Sequence, residues 1–188
     1  MTTYYAQGSP STVLSDEDLR AALFSVLEKL GPRERVLALP PDFTRFHSQA
    51  GKITRLICEH YNFVPGPQGK DEPPPKKTKS TVPKIEILPA LGTHAPMTNQ
   101  EIEIMFGPEL AKTDCFLVHD WRNDVETIGH APAEMVRQAT GGQVDKPWPA
   151  QLNKLIWSKR EQPPEQAHRS LVLSIGQVVP HEVMGMAK

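Results

Sequence analysis

Four clusters of polar side chains, each directly after a short apolar run, contain the residue types that carry out proton transfer. An imidazole titrates near neutral pH and can accept and return a proton within one reaction cycle. A guanidinium binds a carboxylate through two parallel hydrogen bonds, so Arg45 suits an acidic substrate. The sequence therefore predicts a site for acid–base chemistry on a small acid. The clusters lie at Pro40–His47, Gly92–His94, His119–Asp120 and Gly176–His181.

The spacing of the histidines leaves two kinds of chemistry open. Two imidazoles on opposite sides of a substrate carbon would let either stereoisomer lose or gain its proton, as a racemase or epimerase requires. The same side chains could instead hold a metal ion for hydrolysis. None of the histidines in the clusters forms a close H-x-x-x-H or H-x-H pattern with another, so spacing alone does not choose. The candidate residues of such a hydrolase are His94, His119, Asp120 and His181.

Each candidate residue also has a purely structural interpretation. Asp42 follows two prolines and could stabilise a turn, and Arg45 could be an ordinary surface arginine. The carboxylate of Asp120 could fix the tautomer of the adjacent His119. What favours a functional site is the convergence of the clusters, because ligands of open parallel sheets bind at the carboxyl ends of the strands.

The apolar runs and the segments between them predict the fold. Each run is four or five residues long and ends at turn residues, which is typical of buried strands. Strands that alternate with helical patterns indicate a parallel sheet. The predicted fold is α/β, a Rossmann-like, mostly parallel sheet with helices on both faces and the active site at the C-terminal ends of the strands. The predicted strands are Val36–Leu39, Ile85–Leu88, Cys115–Val118 and Leu171–Ile175.

Capping residues and apolar spacing predict the helices. Ser15 is a candidate N-cap followed by three acidic residues, and Gly31 stands where a C-terminal cap belongs. Thr98 and Glu101 have the spacing of a capping box. The predicted helices are Leu14–Gly31, a helix after Gly51 with Ile53, Leu56 and Ile57 on one face, Thr98–Phe106, Pro132–Thr140 and Leu152–Trp157.

Length and charge exclude several classes of protein. A chain of 188 residues suits one compact domain, and a formal net charge of −1 provides no basic surface for nucleic acid. No apolar run approaches the length of a membrane-spanning helix, and the N-terminus lacks the features of a signal peptide. Cys58 and Cys115 form no CxxC pair, which suggests reduced thiols. We therefore expect a cytoplasmic protein with neither nucleic-acid nor membrane partners.

Proline is concentrated in one segment of the chain. Of 19 prolines, six lie within residues 65–83 together with four lysines and almost no apolar side chain. Such a composition cannot bury enough apolar surface to offset the entropy of ordering. The sequence predicts an exposed insertion at about residues 64–83. A second polar stretch, Ser158–Arg169, is predicted to be a surface connection.

Taken in order, the motifs of the polar clusters resemble the N-terminal domain of the lactate racemase family, whose enzymes use a nickel-pincer nucleotide. The likeness covers about Val36 to Lys188, with the proline-rich segment as an insertion. The resemblance implies a single domain over residues 1–188. The matching motifs are Asp42–Arg45, Pro89–Thr98 with Glu101, His119–Asp120 and Ser174–Gly185.

The resemblance implies a chemistry and a role for each residue. In the family, a hydride moves from the 2-carbon of a hydroxy acid to the pyridinium ring of the cofactor, while a histidine takes the hydroxyl proton. Return of the hydride to the other face inverts the centre. The implied catalytic residues are His94 and His181; the implied substrate-binding residues are Asp42, Thr44 and Arg45; the implied cofactor-binding residues are Gly92, Thr93, His119 and Asp120.

The chain departs from the family pattern near its end and in the substrate pocket. Lys188, seven residues after His181, is out of register with the family lysine that carries the cofactor covalently, and no metal ligand is assigned. We expect this chain to lack the C-terminal domain of the family, that domain to be its partner, and the isolated chain to self-associate. Ala95 and Phe46–His47 replace residues common in lactate racemases, which widens the expected substrates to 2-hydroxy acids in general.

The expected function is racemisation or epimerisation of a 2-hydroxy acid by the N-terminal domain of a lactate racemase-like enzyme. Two alternatives belong to other classes. One is a truncated, non-enzymatic domain that binds a carboxylate or a protein partner, and the other is the metal-dependent hydrolase described above.

Overall fold

The structure, a computed structural model, describes residues 2–64, 82–92, 94–160, 169–181 and 185–187. Most of the predicted insertion, residues 65–81, and most of the second polar stretch, residues 161–168, lie outside the described residues. The chain divides into two compact units. The first comprises Met1–Leu117 with Arg169–Lys188, and the second comprises Val118–His168.

Short helices and strands alternate along both units. A 3-10 helix, Phe43–Ser48, follows the first strand. None of the helices in the described parts of the chain is long and apolar enough to cross a bilayer. In chain order the elements are α1 Asp16–Leu30, β1 Arg35–Leu39, α2 Ala50–His60, β2 Lys84–Ile87, α3 Asn99–Phe106, α4 Pro108–Ala111, β3 Val125–Ala131, α5 Ala133–Ala139, β4 Trp148–Asn153, α6 Lys154–Arg160, β5 Ser170–Ser174, β6 Val179–His181 and β7 Gly185–Ala187.

The first unit contains a parallel sheet of three strands in the order β2-β1-β5. Val36 of the central strand is in register with Ile85 on one side and Leu171 on the other. Val36, Leu37 and Ala38 are fully buried, as a strand covered on both faces must be. Three of the four predicted strands are therefore confirmed, and so is the α/β class with a parallel sheet.

The run predicted as a strand at Cys115–Val118 forms only a single parallel bridge, between Phe116 and Ile87. The amide of Leu117 donates to the carbonyl of Ile87 at 2.8 Å, so the run does lie beside β2. It forms no longer ladder because the chain passes into the second unit at Val118. The prediction placed this run correctly next to the sheet but was wrong about its length.

The predicted helices are confirmed with small shifts of their ends. Ser15 and Asp18 form a capping box at the start of α1, and Gly31 ends that helix with a φ of 75°. Thr98 and Glu101 form a second capping box at the start of α3. In both boxes the two side chains accept hydrogen bonds from amides that would otherwise lack partners, which is why the sequence signal is reliable.

The hydrophobic core of the first unit lies between the sheet and α1, α2 and α3. Leu27, Ile57 and Phe106 are its fully buried helical members. A buried carboxylate, Glu59, accepts from Arg20 at 2.5 Å and from Arg55 at 3.1 Å and so ties α1 to α2. The charge of Glu59 is tolerated in the core because two guanidinium groups neutralise it.

The second unit contains an antiparallel pair of strands, β3 and β4, that the sequence did not predict. Along β3 and β4 most side chains are exposed, and only Asn153 is buried. A strand pair with little buried surface shows no apolar run, and Pro149 argued against a strand in this segment. The end of β4 also takes Leu152 from the start of the predicted helix, so α6 begins at Lys154.

Both cysteines are buried, free thiols. Burial raises the pKa of Cys58 to about 12, so at pH 8 only about one Cys58 in ten thousand is a reactive thiolate. We expect neither thiol to react with Ellman's reagent in the native protein and both to react after unfolding in guanidinium chloride. A fast, stoichiometric reaction of the native protein would contradict the buried positions of Cys58 and Cys115.

Candidate functional site

The loops that follow β1 and β2 continue to pair beyond the ends of the strands. Pro41 forms a parallel bridge with Ala90, and the amide of Ala90 donates to the carbonyl of Pro40 at 2.8 Å. The pairing persists because β1 and β2 are adjacent, parallel and in register. Their two polar clusters therefore lie side by side at the C-terminal edge of the sheet, as the sequence predicts for these two strands.

Asp42 and His94 form a hydrogen-bonded pair across these loops. The Nδ1 atom of His94 lies 2.5 Å from Oδ2 of Asp42. The Asp42 side chain is only 6% exposed, whereas the imidazole is 54% exposed. A carboxylate only accepts hydrogen bonds, so Nδ1 carries a proton, and in the neutral imidazole the lone pair is on Nε2. In this geometry Nε2 of His94 is an oriented, accessible base.

Thr44 holds the other oxygen of the same carboxylate. Oδ1 of Asp42 accepts from the Thr44 amide at 3.1 Å and from its hydroxyl at 2.5 Å. Asp42 is thereby the N-cap of the 3-10 helix. One oxygen caps the helix, as the structural interpretation of Asp42 predicts, while the other contacts His94; the functional role of Asp42 stays a prediction. Thr44, predicted to bind substrate, is placed to position Asp42.

Arg45 carries the cation nearest in sequence to this pair. It lies in the 3-10 helix, is half-buried, and has non-helical backbone angles with a φ of −106° and a ψ of 28°. Among the described residues, none of the hydrogen bonds or ion pairs involves its guanidinium. The group thus keeps its hydrogen-bonding capacity for an anion, and a carboxylate fits its planar geometry.

A second contact joins the loops that follow β1 and β5. The Nε2 atom of His47 lies 3.3 Å from the side-chain nitrogen of Gln177, and both side chains are near the surface. Gln177 belongs to the predicted polar cluster Gly176–His181, but no role was predicted for it. Its position could have indicated the contact, because Gln177 lies two residues after Ile175. The amide of Ile175 donates to the carbonyl of Leu39, at the end of β1, at 3.0 Å.

The remaining predicted residues of the first unit are only partly described. Gly92 has a φ of 57°, in the left-handed region, and a β-carbon there would meet no atom of the described residues within 4 Å. The loop therefore presents an open backbone face at this point. Thr93 and the side chain of His181 lie outside the described residues, so their predicted roles stay predictions.

In the second unit His119 is oriented by Asn153 rather than by its neighbour Asp120. The Oδ1 atom of Asn153 accepts from the Leu155 amide at 2.9 Å, which turns the amide nitrogen toward Nδ1 of His119 at 2.8 Å. An amide nitrogen only donates, so Nδ1 of His119 accepts and the ring proton lies on Nε2. Asn153 was not singled out from the sequence, because no periodic pattern links it to His119.

The carboxylate of Asp120 accepts hydrogen bonds from the loop that directly follows it. It accepts from the amides of Arg122 and Asn123 and from the side chain of Asn123, the last at 2.7 Å. The side-chain bond from Asn123 is the largest cause of the lowered pKa of Asp120, followed by the Arg122 amide. The predicted cofactor role of Asp120 stays a prediction, and the structure gives its oxygens a structural role.

Replacing Asn153 by alanine is expected to destabilise the second unit by about 1–2 kcal/mol, because the change removes both the Leu155 cap and the His119 partner. Amide hydrogen exchange of α6 should become faster. Gln151→Ala, an exposed position on the same strand, provides the matched control. Equal exchange in both variants would show that the Asn153 contacts contribute nothing.

The described side chains do not by themselves form a site for a metal ion. No three His, Cys, Asp or Glu side chains of the described residues are close enough together to hold a metal ion. The oxygens of Asp120 are already bonded within its loop. The open backbone face of Gly92 is the one feature described among the predicted cofactor residues that would admit a ligand.

The first unit is thus an α/β unit with a parallel sheet and a His–Asp pair at the carboxyl ends of two neighbouring strands. No protein-family model matches the chain. The chain is similar to a lactate racemase from Thermoanaerobacterium thermosaccharolyticum, with 42% identity over 60 residues that cover 31% of this chain and 14% of that protein.

A crystal structure of a structural-genomics protein from Thermotoga maritima has a similar fold. The TM-score is 0.65 at 24% sequence identity, over 97% of this chain and 37% of that one. The chain therefore has a distant, partial relation to a lactate racemase and shares its fold with the Thermotoga protein. It spans well under half the length of either one.

Proposed function

We propose that this chain is the N-terminal part of a lactate racemase-like enzyme that racemises or epimerises a 2-hydroxy acid, with His94 as an acid–base residue. The observation that carries the proposal is the bond between the exposed His94 imidazole and the buried Asp42 carboxylate. The partial similarity to a lactate racemase gives independent support.

In the proposed reaction Nε2 of His94 takes the proton of the substrate hydroxyl. The imidazolium that forms is stabilised by Asp42, which already bonds Nδ1. The same nitrogen returns the proton when the original stereoisomer forms again. Arg45, three residues after Asp42 and without a partner among the described residues, holds the substrate carboxylate. His181 is proposed as the second acid–base residue on the opposite side of the substrate.

The hydride of the 2-carbon needs an acceptor, and in the family that the sequence resembles the nickel-pincer nucleotide provides it. No three His, Cys, Asp or Glu side chains of the described residues could hold its metal, so no step of the proposed mechanism is derived through it. In the proposed reaction this chain binds the carboxylate of the substrate and takes its hydroxyl proton. The cofactor-binding roles of Gly92, Thr93, His119 and Asp120 remain predictions from the resemblance.

The proposal includes the setting of the reaction. Residues 1–188 form the N-terminal domain, the C-terminal domain of the family closes the pocket, and the Rossmann-like edge of the sheet carries the active site. The substrate is a small 2-hydroxy acid, and the protein acts in the cytoplasm.

The test uses the protein as its native host produces it, purified with its cofactor and weighed by intact mass spectrometry. Chiral chromatography of lactate and related 2-hydroxy acids should show interconversion of stereoisomers. His94→Asn should lower the rate by about 10²–10⁴-fold, the range of general acid–base catalysis. His130→Asn, an exposed histidine on β3, is the matched control and should retain the rate.

Two results would contradict the proposal. If no 2-hydroxy acid is interconverted but carboxylates bind with an affinity that His94→Asn leaves unchanged, the chain is a binding domain. If both histidine variants lower the rate equally, His94 has no special role in the reaction.

A further inference from the structure

A cavity of about 310 Å³ lies in the first unit at the end of the sheet opposite to the His94 site. Its lining comes from the C-terminal ends of α1 and α2 and from the residues just before β1 and β2, whereas the site residues follow these strands. The lining residues that matter are Leu27, Glu28, Arg33, His60, Tyr61 and Pro83.

Two buried polar atoms of this lining have no hydrogen-bond partner within the part of the chain that the structure describes. They are the Nε atom of Arg33 and the hydroxyl of Tyr61. Tyr61 is only 9% exposed. Buried polar groups in proteins nearly always have hydrogen-bond partners, so two unpartnered groups that line one cavity indicate a ligand site. Another guanidinium nitrogen of Arg33 is already bonded to the carbonyl of Pro32 at 3.1 Å.

We propose that this cavity binds a small organic monocarboxylate whose oxygens accept hydrogen bonds from the Arg33 guanidinium and the Tyr61 hydroxyl. Both groups are donors, and a carboxylate supplies two acceptor oxygens on a planar group. The walls formed by Leu27, Pro32 and Pro83 and by the ring of His60 suit a compact apolar body on that carboxylate.

The charges around the cavity favour one negative charge. Burial raises the pKa of Tyr61 and the nearby Arg33 lowers it in part, so the phenol stays protonated as a donor beside a cation. Burial also lowers the pKa of His60, which leaves a neutral imidazole packed edge-on against Tyr61 at 4.9 Å. The carboxylate of Glu28 repels each negative charge of a ligand, so it disfavours a phosphate dianion more than a monocarboxylate.

The probe for the test is benzoate, because its ring matches the apolar and aromatic lining. Isothermal titration and thermal unfolding of the full chain should show saturable binding and a melting temperature that rises with benzoate. Benzyl alcohol, which lacks the charge, and inorganic phosphate should bind at least about tenfold more weakly. Arg33→Gln should abolish the binding.

Tyr61→Phe is the milder variant, because it removes only the unpartnered hydroxyl. We expect it to fold at least as stably as the original chain without ligand and to weaken benzoate binding several-fold. Tyr4→Phe and Arg137→Gln, at exposed positions, are the matched controls and should leave the affinity unchanged.

The proposal is overturned if benzoate shows no saturable binding at concentrations up to about 10 mM, which would reveal even a weak site. It is also overturned if benzyl alcohol or phosphate binds as well, or if Arg33→Gln and Tyr61→Phe leave the affinity unchanged. Because the cavity uses none of the residues around His94, each of these outcomes leaves the racemase proposal unaffected.

Discussion

Gly51→Ala is expected to destabilise the first unit by at least about 3 kcal/mol, at or beyond the upper end of the usual cost of overpacking. A β-carbon at Gly51 would overlap the carbonyl oxygen of Met105 and would come within 2.8 Å of its Cγ. The overlapping atom belongs to the backbone of α3, so it cannot move aside by changing a rotamer. Alanine favours the helical state over glycine by only about 1 kcal/mol, and the clash outweighs this gain.

Urea unfolding followed by circular dichroism measures the effect of Gly51→Ala. Gly8→Ala is the matched control, because a β-carbon at Gly8 meets no atom within 4 Å in the part of the chain that the structure describes. The midpoint of the Gly51 variant should fall strongly while that of the control stays near the original. Equal midpoints would mean that α2 and α3 do not pack as closely as the structure shows.

The same close contact bears on the candidate site. Helix α3 begins at Asn99, five residues after His94, and ends at Phe106, next to Met105. A displacement of α3 at Met105 would be transmitted along a short, rigid helix toward the loop that holds His94. We therefore expect Gly51→Ala to weaken the Asp42–His94 arrangement as well as the fold.

The elements that sequence patterns predicted are those whose signals are local. A capping box is complete within four residues, so the start of α1 at Ser15 and that of α3 at Thr98 could be read directly. The buried strand β1 is a continuous apolar run because both of its faces are covered. For these elements the local pattern and the tertiary structure agree.

The elements that sequence patterns missed depend on distant partners. Strands β3 and β4 are mostly exposed, and it is their mutual pairing, such as His130 with Pro149, that makes them strands. The run at Phe116 has the composition of a strand, but only one of its residues bridges to β2 before the chain enters the second unit. The apolar pattern of the sequence indicates neither the pairing of β3 with β4 nor the shortness of the pairing at Phe116.

The candidate site divides in the same way. The approach of Asp42 and His94 was predictable, because parallel neighbouring strands bring their following loops together. The partner of His119 was not predictable, since Asn153 reaches it from a strand 34 residues later. The loop bonds of Asp120 also follow no motif, because the two amides and the side chain that satisfy it are ordinary loop groups.

Asp42→Asn is expected to lower the rate of 2-hydroxy acid interconversion by about 10²–10⁴-fold with little effect on folding. Asparagine caps helices about as well as aspartate, so the bond to the Thr44 amide survives and the free energy of unfolding should change by less than about 1 kcal/mol. The amide lacks the negative charge that stabilises an imidazolium at His94, and it can bind the imidazole in the wrong tautomer.

Asp42→Ala separates the two roles of this carboxylate. Alanine removes the cap as well as the charge, so this variant should lose the same activity and also about 1–2 kcal/mol of stability. Asp114→Asn, an exposed aspartate of the same unit, is the matched control. The measurements are turnover by chiral chromatography and unfolding in urea for all three variants of the native protein.

The comparison of the Asp42 variants decides between positioning and chemistry. A rate that falls only in proportion to the unfolded fraction would make Asp42 a structural cap and would remove the main support for His94 as a base. A rate that falls equally in the asparagine and alanine variants, with stability lost only in the alanine variant, would mean that the charge 2.5 Å from the imidazole acts on the reaction itself. We expect the second result, because a buried carboxylate held by Thr44 on one side leaves its other oxygen directed at His94 alone.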